Sequence, residues 1–226
     1  MTPPPAPIAD AAPLSASDRT YLTLEYSLLF FAIPAIIAFG PPRIPFFALL
    51  YSATAICALF LFLDRSFDRS QLWNKASLRA GLPGVLSLWA VGVVVLSLLI
   101  KFLAPHLWLA FPREKPLVWA GVMVLYPVLS VYAQNIIYRA FIFHRYRSLF
   151  PSPSAMIWAS AAAFSFAHII FLNAVAILLT LAGGLIFAHT FHKHRSILLV
   201  SIEHALYGCL LFTVGLGWYL YLAAAQ

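Results

Sequence analysis

The sequence predicts an all-α fold, a polytopic transmembrane helix bundle of seven or eight spans. Three observations carry this. The 226 residues are 63% hydrophobic and 9% charged, with a mean hydropathy of +0.91, far more apolar surface than a soluble domain can bury. Apolar runs of about 20 residues, the length that crosses a bilayer, recur along the chain. Much of the charge, 14 basic against 7 acidic residues and +7 net, sits in the short connections between those runs. Charge placed there is an orientation signal and a lipid contact. No basic platform interleaved with aromatics is present, so nucleic acid is excluded as a partner.

The first 20 residues are rich in Pro and Ala, with neither a basic leader nor an early apolar core. They read as a disordered tail and not as a signal peptide. Leu22 to Phe39 is the first expected span, with Glu25 at headgroup level and Pro34 as a kink. After a rigid turn at Gly40 to Arg43, Ile44 to Leu63 is the second. Asp64 to Arg79 is a polar connection in which Gln71 to Ala80 reads as an interfacial helix, with Leu72, Trp73 and Leu78 dipping into lipid.

Leu82 to Leu103 is the third span, Pro105 to Pro116 a second connection, and Leu117 to Phe143 the fourth span. The basic stretch HRYRSLFPSPS follows, then a fifth span at Ala155 to Leu172, a turn at Asn173, and a sixth span at Ala174 to Phe191. Within the sixth, Gly183 and Gly184 permit close helix approach. His189 to Arg195 is a third basic connection. Ile197 to Leu222 is long for one span and short for two, and Gly208, Gly215 and Gly217 interrupt it. Seven or eight spans turns on whether that run is one broken helix or two. Cys57 and Cys209 lie inside apolar runs and read as small hydrophobes. The basic connections after spans two, four and six share one side by parity. The positive-inside rule puts that side and the N-terminus in the cytoplasm, as in an integral protein of a bacterial inner membrane.

Polar residues inside the spans are the candidates for function, because each is costly in lipid. Gln134, Asn135 and Arg139 lie within two helical turns of the fourth span, and Asn135 and Arg139 share a face at i,i+4. His168 ends the segment FSFAH, and Glu203 with His204 lies in SIEHALYG. Counted from the basic side, Gln134, His168 and His204 lie roughly 15, 21 and 12 Å deep. Polar groups at matched depth on three helices are expected to share a cavity.

The order of these groups resembles the CPBP intramembrane proteases, which include the CAAX prenyl endopeptidases. The resemblance spans Leu117 to Leu222. The family's motifs are Glu-Glu-x-x-x-Arg, Phe-x-x-x-His and His-x-x-x-Asn or Asp. Here the second is intact as Phe164 and His168. The first keeps only Arg139, with Gln134 and Asn135 in the glutamate places. The third keeps His204 but has Gly208 at its end. The resemblance implies a division into a tail (1–20), N-terminal transmembrane helices (21–116) and a protease-like transmembrane core (117–226). It also implies peptide hydrolysis by a water held between glutamate and histidines.

An amide side chain is no proton acceptor at useful pH, so Gln134 orients a water without activating it. Glu203, the one acid near this layer, points about 100° away from its neighbour His204 and is expected to pair with Arg139. His168 and His204 lack a clear third ligand, so no metal and no cofactor is expected. The leading expectation is therefore a non-proteolytic relative that serves as a subunit, assembly or binding protein of a membrane complex, with a membrane protein and lipids as partners. Two alternatives stand beside it: an active intramembrane endopeptidase with a rearranged site, and a protein that handles a lipid or small molecule.

Overall fold

The computed structural model describes residues 14–40 and 45–220. Seven apolar helices build the described chain: α1 (Ala16–Phe39), α2 (Phe46–Leu63), α3 (Lys75–Leu103), α4 (Pro116–Arg145), α5 (Pro153–Phe171), α6 (Ala174–His194) and α7 (Ile197–Val214). Six of them are long and apolar enough to cross a membrane, and the described apolar run of α2, Phe47–Leu63, is shorter. The expected count of seven or eight is thus corrected to six. The last apolar run does not divide in two. It is one helix that ends at Gly215, in the left-handed region at φ 109°, before a short turn at Leu216–Leu220. A Cβ at Gly215 would overlap the Leu107 carbonyl, so glycine is required there for space as well as for backbone conformation.

The helix starts follow ordinary capping chemistry. Ser15, Asn74, Ser152, Asn173 and Ser196 each accept a backbone N–H from the first turn of the following helix. Asn74 also corrects one expectation. Residues 71–80 form no separate interfacial helix: a short turn ends at Leu72, and α3 runs unbroken from Lys75 through Pro83. Leu72 is buried, while Trp73 is exposed and stacks on Tyr132 with ring centroids 5.1 Å apart. α1 opens at Ala16, inside the stretch read as tail; residues 1–13 and the expected turn at 41–43 lie outside the described residues. The connection read from His189 onward is largely helical, since α6 continues to His194.

Three stretches of the spans are wound wider than an α-helix: Leu28–Ala32, Pro127–Val131 and Ile136–Phe141. The first leads into Pro34 and the second opens on Pro127, where the missing N–H and the ring clash disturb a regular turn. The third has no proline and surrounds Arg139. Wide turns of this kind often mark functional sites.

The basic connections meet at one end of the bundle. His144 Nε2 lies 2.8 Å from Asp64 Oδ2, and Ser196 Oγ donates to the Asn74 carbonyl at 3.2 Å. The hydrogen bond from His144, with those from Ser66, holds the Asp64 carboxyl below the usual carboxylate range. At this end α1 is tied to α4 by a bidentate pair, Arg145 to Glu25 at 2.8 and 2.9 Å, and the Tyr146 hydroxyl donates to the same carboxylate at 2.9 Å. Burial, and then the charge of Glu25, raises the Tyr146 phenol above its ordinary value. Glu25 is therefore a tether, a role that its place at the start of a span does not reveal. α5 and α6 form the most extensive helix pair, and α7 packs on both α4 and α3.

Bidentate, half-buried charge pairs are among the stronger ion pairs. Glu25→Gln and Arg145→Gln are each expected to lower stability by about 1–3 kcal/mol, read by thermal unfolding in detergent. The double variant should cost less than the sum of the two; simple additivity would contradict a direct pair.

Candidate functional site

The three polar stretches do converge, at the junction of α4, α5, α6 and α7. Asn135 is the hub. Its amide nitrogen donates to the Val131 carbonyl at 3.1 Å, reaches Ser201 Oγ at 3.2 Å and stands 3.4 Å from His204 Nδ1. An amide nitrogen carries two protons, which the Val131 carbonyl and Ser201 Oγ take, so the contact with His204 does not fix which ring nitrogen of that histidine is protonated. The His204 ring stacks on Phe187 at 4.5 Å and meets Phe164 edge-on at 5.3 Å.

His168 sits at the end of the α-helical part of α5, its Nδ1 2.7 Å from the Phe164 carbonyl. A carbonyl only accepts, so Nδ1 donates and Nε2 is left with a lone pair. Phe164 thus touches both histidines: its ring is 4.7 Å from that of His168 and its carbonyl fixes the tautomer.

Arg139 is fully buried. Its guanidinium lies over Phe164 at 4.7 Å and Phe187 at 5.7 Å, and one terminal nitrogen stands 3.4 Å from the Gly184 carbonyl. The expected pairing with Glu203 is corrected. Among the described residues the ion pairs within 4.0 Å are His144–Asp64 and Arg145–Glu25. Glu203 is itself buried, and its Oε2 has no hydrogen-bond partner among the described residues. The turn of about 100° between positions 203 and 204 sends the carboxylate away from the imidazole. Gln134 is not aimed at the histidines either: its amide nitrogen donates to Ser130 Oγ, one turn earlier, at 2.6 Å. Five side-chain atoms of this layer have no hydrogen-bond partner among the described residues: Gln134 Oε1, Asn135 Oδ1, Arg139 Nε and Nη1, and Glu203 Oε2.

A half-open cavity of about 310 Å³ lies beside this layer, between α3, α6 and α7. Tyr126, His168, Thr180, His204 and Tyr207 are its polar lining residues, and apolar side chains, chiefly of α3 and α6, form the rest. Gln134, Asn135, Arg139 and Glu203 are not among the lining residues, and no carboxylate is. Among the described residues no three His, Cys, Asp or Glu side chains stand together as a metal-binding group.

Two residues that no motif marks shape the site. Phe187 stacks on His204 and helps cover Arg139. Tyr126 fills the space beside Gly208: a Cβ at Gly208 would overlap its hydroxyl and ring edge and lie 2.6 Å from its Cζ. Gly208 therefore belongs to the site as the gap that admits Tyr126, and a glycine in an apolar helix is the only sign of it in the sequence. Of the glycine pair, Gly184 makes the close approach, with Ala161 Cα 3.1 Å from its Cβ position. Gly183 lines the cavity instead.

Gly208→Ala is expected to destabilise the protein by about 1–3 kcal/mol through overpacking against Tyr126. Adding Tyr126→Ala should remove most of that penalty, and unfolding midpoints of the four proteins measure it. A Gly208→Ala penalty unchanged in the Tyr126→Ala background would contradict the pairing.

Residues 114–210 match the family model described as Rce1-like, Type II CAAX prenyl endopeptidase Rce1-like. No curated protein and no solved structure matches the chain. The matched stretch takes in every residue of the polar layer, from Gln134 to Gly208, together with Tyr126, and leaves out α1 to α3. Over just under half of its length, the chain thus carries a domain similar to the Rce1-like type II CAAX prenyl endopeptidases.

Proposed function

We propose that this membrane protein is a non-hydrolytic relative of the CAAX-type endopeptidases whose polar layer joins helices and whose core serves a membrane complex as a binding or assembly subunit. The observation that carries this reading is the orientation of the site's hydrogen-bonding groups. The amide of Gln134, at the place of a glutamate in the resemblance, is spent on Ser130. That of Asn135 is spent on Val131 and Ser201. Neither residue lines the cavity, and neither accepts a proton at useful pH. Glu203, the remaining acid of this layer, is not a cavity-lining residue. A water held by His168 and His204 alone would lack a carboxylate base. The departures of the first and third motifs belong to this reading, as does the division into a tail (1–20), an N-terminal helical part (21–116) and a protease-like core (117–226).

The orientation proposed with it places the end that carries Asp64, His144 and Arg195 in the cytoplasm. That end gathers the basic connections, as the positive-inside rule requires. It suits a subunit held among membrane partners and lipids.

The reading is tested by extracting the native membrane in mild detergent and quantifying what co-migrates with the chain. A partner at fixed ratio, retained by a His168→Ala variant at normal protein level, is the expected result. A chain that migrates alone, or a complex lost with His168→Ala while the protein level holds, would contradict the subunit role of a structural layer.

A further inference from the structure

The cavity has features that helix packing does not require. Tyr126 Oη makes no hydrogen bond among the described residues, although Tyr126 lines the space. With Nδ1 donating to Phe164, His168 leaves its Nε2 lone pair free. The cavity therefore offers one fixed acceptor, a second imidazole from His204, and the phenols of Tyr126 and Tyr207, which serve as donor or acceptor. No charged side chain is among its lining residues. Arg139 stands behind Phe164 and Phe187, its guanidinium on their ring faces.

The remaining wall is aliphatic and reaches the outside of the bundle. Val91 and Val95, both lining residues, are more than half exposed on the lipid-facing side of α3. The opening exists because α3 packs chiefly on α7 and little on α6. At about 310 Å³ the space lies at the lower end of small-ligand sites. A helix about 10–12 Å across does not fit: α3 and α7 are already in contact there, with the Tyr207 ring 2.8 Å from a Cβ position at Gly92.

We propose that this cavity binds one single-chain lipid with an uncharged, hydroxyl-bearing head, taken sideways from the bilayer, and that Tyr126 recognises the head. A hydroxyl both donates and accepts, so it donates to His168 Nε2 and accepts from Tyr126 Oη. A carboxylate only accepts; it would leave the His168 lone pair unpaired and place a charge between aliphatic walls, where desolvation is costly. A second chain has no room. Gly208 is part of the same device, since any side chain there would displace the phenol. The proposal rests on the cavity being a binding site and not a hydrolytic one.

The test is native mass spectrometry of the full chain in detergent, titrated separately with 1-monooleoylglycerol, dioleoylglycerol and oleate. The expected result is one saturable equivalent of monooleoylglycerol, held more tightly than the other two. Tyr126→Phe should weaken it about tenfold, the loss of one hydrogen bond. Leu88→Trp, placed on the half-exposed wall where folding tolerates it, should block entry. Ala182→Phe fills the space from the α6 side and serves if Leu88→Trp melts early. No retained lipid, unsaturable multiple equivalents, or equal retention by Tyr126→Phe and the blocking variants would overturn the site. Tighter binding of oleate or dioleoylglycerol would overturn the assigned head or chain. If lipid binding fails while a fixed-ratio partner persists, the inference falls and the subunit reading stands.

Discussion

A fully buried guanidinium is the constraint on which the rest of the core depends. Taking Arg139 out of water costs several kcal/mol unless the protein supplies substitutes. It does so without a contact carboxylate among the described residues. Two aromatic faces, Phe164 from α5 and Phe187 from α6, lie against the cation, and the Gly184 carbonyl stands 3.4 Å away. That carbonyl is within reach because α5 and α6 approach at Ala161 and Gly184, where any larger residue would hold them apart. The wide turn at Ile136–Phe141 surrounds the same arginine. Helix winding, small-residue packing and ring placement thus serve one charge, and the helices concerned lie within the stretch that matches the family model.

The same rings separate two environments. Phe164 and Phe187 face the cation on one side of the layer and line the cavity on the other. The buried charges and amides stay behind them, and the cavity sees only neutral groups and hydrocarbon. Among the described residues no carboxylate lines the cavity beside its histidines. A hydrogen bond to the Phe164 carbonyl fixes the His168 tautomer, with the Nε2 lone pair left over. Across the layer Asn135 ties α4 to α7 through Ser201, and the Arg139 guanidinium reaches the Gly184 carbonyl of α6.

Much of this is legible in the sequence, for identifiable reasons. Polar residues in apolar runs stand out because lipid penalises them, and helix rise alone brings Gln134, His168 and His204 to similar depths. The FxxxH spacing places Phe164 next to His168, and the two rings are in contact. What stays hidden depends on direction and not on depth. Gln134 and Asn135 are adjacent in sequence, yet one turns to Ser130 and the other to His204. The cation of Arg139 meets aromatic faces where a carboxylate partner was expected, because phenylalanines in an apolar helix carry no mark of such a role. By sequence Tyr126 is indistinguishable from an interface anchor; only the packing shows that Gly208 makes room for it. The span count falls to six at α2, whose described apolar run is shorter than the others, while at the C-terminal end a left-handed glycine makes the last run one helix and not two.

The most direct test of the central claim, that the polar layer holds the core together without hydrolysing, is a peptidase assay on the purified chain in lipid nanodiscs. The substrate is a prenylated CAAX-type peptide, with wild type and His204→Ala compared by mass spectrometry. The account predicts no cleavage above the protein-free control in either. Cleavage by wild type that disappears in His204→Ala would contradict it, and would show that the cavity does activate a water.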